Sequence, residues 1–150
     1  MKTIAEQIRQ KAAEYRDYTA ENLSKLVKVK SYSSQEEDVC RLIVTLCEEA
    51  GFDEIRIDGL GSVIARVGNG PKQLAIDGHI DTVEVGNLAN WTFDPFCGDI
   101  KDGKVWGRGA SDQKGGAASM ITAGRILKDL GYGGEYTVYF TFTVMEERSE

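Results

Sequence analysis

The sequence is poor in the residues that would give the simplest answers. It has one histidine, two prolines and three cysteines in 150 residues. The cysteines, Cys40, Cys47 and Cys97, are odd in number and form no C-x-x-C pair, so neither a disulfide framework nor a cysteine zinc site is supported. Cys40 and Cys47 share a face of a predicted helix and read as small apolar side chains. No apolar run approaches the length of a membrane helix, and Met1 to Glu6 lacks the apolar core of a signal peptide. There is no excess of positive charge: the formal net charge is −6, which disfavours nucleic acid or an anionic membrane as a partner. The densest basic group, Lys25, Lys28 and Lys30, reads as a solvated helix end. The expected location is a reducing cytoplasm.

What is present suits one soluble α/β unit. Hydrophobic residues make up 41% and charged residues 28%, an ordinary balance for a globular chain long enough to bury a core. The 17 glycines fall in short clusters between apolar runs, where turns are needed. Ile4, Ile8, Ala12 and Tyr15, continued by Leu23, Leu26 and Val27, predict a helix from about Thr3 to Val27. Ser34 followed by Glu37 has the pattern of a capping box opening a second helix, with Gly51 as its stop. Glu54 to Asp58 and Ser62 to Val67 predict a hairpin. Leu74-Ala75-Ile76 predicts a strand buried on both faces, and Val105-Trp106-Gly107 a short strand. A further helix is expected from about Lys114 to Leu130. The sharp alternation from Tyr136 to Val144 then predicts a strand with Val138, Phe140 and Phe142 on one face. Interleaved helices and strands indicate a layered α/β domain.

Three acidic sites lie at the ends of such runs. The single histidine sits in Gly78-His79-Ile80-Asp81-Thr82, where strand geometry would project His79 and Asp81 to the same side. Asp81 can then accept the spare imidazole N–H and fix which nitrogen faces a metal. Asp112 lies in Gly107-Arg108-Gly109-Ala110-Ser111-Asp112-Gln113-Lys114-Gly115-Gly116. That loop matches neither G-x-x-x-x-G-K-[ST] nor G-x-G-x-x-G, and its aspartate would repel phosphate. Glu146 and Glu147 follow the last strand, where two adjacent carboxylates repel each other unless a cation or shared proton offsets them. Each site also has a plain reading: a surface His–Asp pair, an Asp N-cap, a strand end entering solvent. One imidazole with carboxylates from separate elements is nonetheless the donor set of a metal centre.

In combination, these motifs resemble the zinc-dependent amidohydrolase and peptidase family of acetylornithine deacetylase, succinyl-diaminopimelate desuccinylase, aminoacylase and glutamate carboxypeptidase. The likeness runs through Val29-Lys30-Ser31-Tyr32-Ser33, Gly78 to Val83, Trp91-Thr92-Phe93-Asp94-Pro95-Phe96, Gly107 to Gly116 and Glu146-Glu147. In detail it is most similar to the selenium-metabolism-linked hydrolase branch (YgeY-type). The resemblance implies a three-layer α/β/α fold with a mixed, mostly parallel sheet of zinc-exopeptidase type. It implies two zinc ions, with Co or Mn as substitutes, that activate a water for cleavage of an amide or peptide bond in a small-molecule substrate. It implies His79, Asp112 and Glu147 as metal ligands, with Asp112 between the two ions, Asp81 orienting His79, and Glu146 as general base. It also implies a cis peptide at Asp112–Gln113.

The family uses one further acidic ligand, one further histidine and an inserted lid domain through which full-length members often form homodimers. None of these is found in the 150 residues. The expectation is therefore an N-terminal part of the catalytic domain, residues 1–150, incomplete at its C-terminal side and inactive by itself. The alternative is a non-catalytic α/β binding module whose acidic strand ends are solvated, or in which Asp112 only caps a helix.

Overall fold

The structure is a computed structural model and describes residues 2–148. Its first helix, α1 (Ile4–Glu14), opens on a capping box. Thr3 Oγ1 accepts the Glu6 N–H at 3.2 Å, and the Glu6 carboxylate accepts the Thr3 N–H at 2.7 Å. The single helix predicted to reach Val27 is broken at Tyr15, which ends α1 and precedes α2 (Arg16–Lys28). The reason is tertiary. The Tyr15 hydroxyl is bonded to Asp129 and accepts from Arg125 at 3.1 Å, both late in the chain. Residues on that distant helix hold the junction, and local periodicity carries no trace of them. α1 buries no residue, whereas α2 buries Leu26 and Val27.

Helix α3 (Glu37–Ala50) ends at Gly51, whose φ of 82° is the left-handed conformation that a helix C-terminus commonly needs. The predicted capping box is not formed. Glu36 occupies the cap position without a side-chain bond to the helix, and Ser34, at φ 68°, instead accepts from Arg148 at 3.3 Å. The chain reverses before α3 rather than entering it extended, so Ser34 Oγ is not aimed at the first helical turn.

The hairpin forms as expected from β1 (Glu54–Ile57) and β2 (Val63–Val67). Asp58 Oδ1 closes it by accepting the N–H groups of Leu60, Gly61 and Ser62 at 2.9–3.0 Å. Strand β3 (Lys72–His79) is followed by a loop with a short ribbon, β4 (Ile100–Lys101) and β5 (Lys104–Val105), then α4 (Lys114–Asp129) and β6 (Tyr136–Thr143). The main sheet has the order β1-β2-β6-β3. The α/β class and the mixed sheet are as expected, but the balance of directions differs. Only β3–β6 is parallel; β1–β2 and β2–β6 are antiparallel. The difference arises because the hairpin precedes the β-α-β unit and joins the sheet at β6.

One core holds these elements together. Val63, Ala65 and Val67 of β2 and Val138, Phe140 and Phe142 of β6 face α3 and α4, meeting Val39, Ile43, Leu46, Ala117 and Ile121. Phe52 lies edge-on to Phe140 with centroids 5.2 Å apart. Burying a side chain of this size contributes roughly 1.5–3 kcal/mol, so this face dominates the fold's stability. The alternate residues Ile64, Arg66, Tyr139 and Thr141 are only half-buried, so within the described residues the helices cover one face of the sheet. β3 is not buried on both faces as predicted: Leu74 is 47% and Ile76 37% exposed. As an edge strand of this sheet it has one neighbour, and only its end, Gly78 and His79, is enclosed. Cys40 and Cys47 are buried as expected. Burial pushes their thiols up to about 11 and about 12. Among the described residues no helix is long and apolar enough to cross a membrane.

Candidate metal centre

Sheet topology brings the site together. β3 and β6 run parallel with His79 level with Thr143, so both strands deliver their following residues to the same edge. The Ile80 N–H donates to Thr143 O at 2.9 Å and carries the pairing one residue further. α4 starts at Lys114, which sets Asp112 in front of its first turn. The carboxyl ends of parallel strands, beside a helix N-terminus, are where open α/β sheets place ligands.

His79 is buried, 4% exposed, and both of its ring nitrogens face oxygen. Nε2 is 3.1 Å from Asp112 Oδ1 and 3.6 Å from Glu146 Oε2. Nδ1 is 3.2 Å from the Asp81 carbonyl and 3.4 Å from its carboxylate Oδ1. Burial by itself would lower the imidazole pKa. The hydrogen bonds to Asp112 and to the Asp81 carbonyl, with the nearby Glu146 and Asp81 charges, outweigh burial and raise it. Two acceptors, one on each nitrogen, are satisfied together only by the imidazolium or by a cation that replaces one proton.

Asp81 is fully buried. Its carboxylate accepts from Ser33 Oγ at 2.7 Å, from the Glu146 N–H at 3.2 Å and from the Glu147 N–H at 3.1 Å. It therefore ties the histidine strand to the segment bearing both glutamates. The closest partner of Nδ1 is the Asp81 carbonyl rather than the carboxylate expected from strand alternation. β3 ends at His79, so the period-two geometry does not extend to Asp81.

The ligand atoms of His79, Glu146 and Glu147 all lie within 4.8 Å of one another, while Asp112 reaches His79 but falls outside that trio. The Asp112 and Glu146 side chains are 77% and 61% exposed and free to adjust, unlike His79 and Asp81. Glu147 has its carboxyl pKa raised, by burial first and then by repulsion from Asp112, with Glu146 and Asp81 adding to it. Among the described residues no lysine or arginine forms a salt bridge with Asp112, Glu146 or Glu147, whereas His79 lies within 3.1 Å of Asp112 and 3.6 Å of Glu146. The donor set, one imidazole with oxygen ligands, suits zinc and related ions.

Asp112 does not cap α4. The cap position is Gln113, and Asp112–Gln113 is a cis peptide, as the resemblance implied. Close contacts shape the loop around it. Gly107 and Gly109 have φ of 146° and 79°, and a Cβ on them would come within 2.3 Å of Val27 and 2.6 Å of Thr82. Two supporting residues stand inside motifs of the sequence that give no sign of their roles. Ser33 has no local signal beyond a polar turn. Lys114 passes for a helix-surface lysine, yet it is 1% exposed and donates to the carbonyls of Leu26 and Val29 at 2.9 and 2.7 Å. Burial pushes its amine down to about 8. The acidic groups thus converge on His79 while Asp112 and Glu146 also stay open to solvent.

The chain is similar to known proteins in sequence and in fold. The chain is 46% identical over 140 residues to the uncharacterized protein YgeY of Escherichia coli K12, covering 93% of this chain and 35% of that one. It is 34% identical over 131 residues to a probable succinyl-diaminopimelate desuccinylase of Staphylococcus epidermidis, covering 85% of this chain and 32% of the relative. The chain thus spans about a third of the length of the curated relatives it matches. Human carnosine dipeptidase 1 shares the fold, with a TM-score of 0.82 at 20% identity over 99% of this chain and 36% of that one. So does the Bacillus subtilis YXEP protein, described as a dinuclear metal-binding peptidase of family M20, with a TM-score of 0.66 at 23% identity over 90% and 37%. The model of peptidase family M20/M25/M40 matches residues 75–150, from β3 through both glutamates, and the chain belongs to that family.

Proposed function

We propose that this chain is the N-terminal part of the catalytic domain of a two-metal hydrolase cleaving an amide or peptide bond, of the deacylase or exopeptidase type. The observation that carries the proposal is the meeting of one buried imidazole with three carboxylates, without a basic side chain among them, at the carboxyl end of a parallel strand pair. In this reading His79, Asp112 and Glu147 would hold the metals, Asp112 as the ligand common to both. Zinc is the metal the donor set favours, and cobalt or manganese are substitutes. Asp81 holds the Nδ1 side of His79 so that Nε2 faces the site. When bound, the metals supply Lewis acidity and ease the loss of a proton from water. The exposed Glu146 carboxylate, 3.6 Å from His79 Nε2, would be the group to accept a proton from water and pass it to the leaving nitrogen. The 46% identity to YgeY supports a place in the YgeY-type branch, whose link to selenium metabolism is only what the sequence resemblance implies, and the desuccinylase relative supports an acyl-amide substrate.

His79 is the only histidine in the sequence, so each metal receives two protein ligands here, counting Asp112 twice. A closed site needs three or more. The 150-residue chain alone therefore binds zinc weakly and does not turn over amides. Titration with Co²⁺, followed by its visible absorption, tests the site. The native chain should bind, and His79→Ala should weaken binding at least about tenfold. Equal binding by both proteins would refute the assignment, and di-zinc loading with hydrolysis by this chain would refute the incompleteness.

A further inference from the structure

β6 leaves the sheet at Thr143, yet the next four backbone N–H groups are not left to solvent. Val144 donates to Ser62 Oγ at 3.4 Å, Met145 to Glu36 Oε1 at 3.1 Å, Glu146 to Asp81 Oδ1 at 3.2 Å and Glu147 to Asp81 Oδ2 at 3.1 Å. Side chains from three separate segments thus take over where the strand ladder stops. The two carboxylates among them are buried: Glu36 is 6% exposed and Asp81 0%. Met145 sits at φ 62°, a conformation that a residue with a side chain rarely adopts and that lets successive N–H groups point inward together.

We infer that Glu36 is a positioning residue for the Glu146–Glu147 pair, forming with Asp81 a two-carboxylate clamp on the backbone that carries it. Nothing in the motifs around the metal centre marks Glu36. It lies at the start of α3, far from the glutamates in sequence, and its carboxylate does not join the group of candidate ligand atoms. Its role is to hold the Met145 peptide. Asp81 cannot do this alone, because both its oxygens are already engaged by the next two N–H groups and by Ser33. Without Glu36 the segment is fixed only from Glu146 onward. Met145 is then free to leave its positive φ and swing the following side chains relative to His79. Among the described residues no salt bridge involves Glu36, so its buried carboxylate is explained by the Met145 N–H it accepts rather than by ion pairing. The inference rests on the reading of His79, Asp112 and Glu147 as metal ligands.

The test uses the 150-residue chain and two observables: Zn²⁺ affinity by competition with a chromophoric chelator, and the NMR shift and exchange rate of the Met145 amide. Glu36→Ala should weaken zinc binding roughly 10–100-fold, the range typical of residues supporting metal ligands, and should deprotect the Met145 amide. Glu36→Gln keeps an acceptor oxygen and should recover most of both. A folded Glu36→Ala chain with zinc affinity within about twofold of native and an unchanged Met145 amide overturns the inference, as does a Glu36→Gln chain as impaired as Glu36→Ala. If Glu36→Ala does not fold, Glu36→Asp, one methylene shorter with the charge kept, is read in the same way. A native chain that binds no zinc defeats the metal-site reading instead, and the Met145 amide still decides whether the clamp exists.

Discussion

Replacing Asp81 by asparagine isolates what a single buried oxygen contributes. The substitution preserves shape, so no cavity opens, but it exchanges one acceptor oxygen for an NH₂ donor. Asp81 Oδ1 accepts the Glu146 N–H, and Oδ2 accepts the Glu147 N–H and the Ser33 hydroxyl. The serine hydroxyl can rotate to accept; a backbone N–H cannot. Whichever way the amide turns, one of the two peptide N–H groups faces a donor and loses its partner. An unsatisfied buried donor costs about 1–3 kcal/mol, and the remaining bonds weaken from charge-assisted to neutral, adding about 1 kcal/mol. The sum is about 2–4 kcal/mol, a large fraction of the ~5–15 kcal/mol available to a domain. Equilibrium urea unfolding of the metal-free native and Asp81→Asn chains measures it as a shift in midpoint at unchanged slope. A difference below about 0.5 kcal/mol would show that the Asp81 bonds do not hold the glutamate segment, and the account of the site would fall with it.

Two further outcomes follow from particular contacts. In the metal-free chain the His79 pKa is raised above the ordinary imidazole value of 6.5, so imidazolium favours the folded state. That contribution is fully present below about pH 6.5 and is lost as pH rises through the folded value. Zinc competes with the same proton at Nε2, so isothermal titration should show apparent zinc affinity rising across this window, and a pH-independent affinity would exclude His79 as a ligand. Gly124→Ala places a Cβ 2.1 Å from Cζ of Phe52, whose ring is backed by Phe140. Overpacking of about 3 kcal/mol outweighs the ~1 kcal/mol gain in helix propensity, so urea unfolding should show a net loss of about 2 kcal/mol; an equally stable variant would mean that the α4–sheet contact is looser than described.

Local chemistry wrote much of this fold into the sequence directly. The alternation from Tyr136 to Val144 set a strand with Val138, Phe140 and Phe142 inward, and Gly51 stopped α3, because side-chain period and left-handed backbone conformation are properties of neighbouring residues. The motifs around His79, Asp112 and Glu146-Glu147 were legible for the same reason: each is a short run. What the sequence could not state is which distant groups meet. Tyr15 breaks a helix because Arg125 and Asp129 reach it, Leu74 and Ile76 are exposed because β3 lies at an edge, and Ser34 turns away from α3 instead of capping it. Only the parallel register of β3 against β6 sets Glu146 beside the imidazole, and only the packed structure hands the N–H groups after β6 to Glu36 and Asp81. Those contacts join residues far apart along the chain, and such pairing follows from how whole elements pack rather than from any local preference.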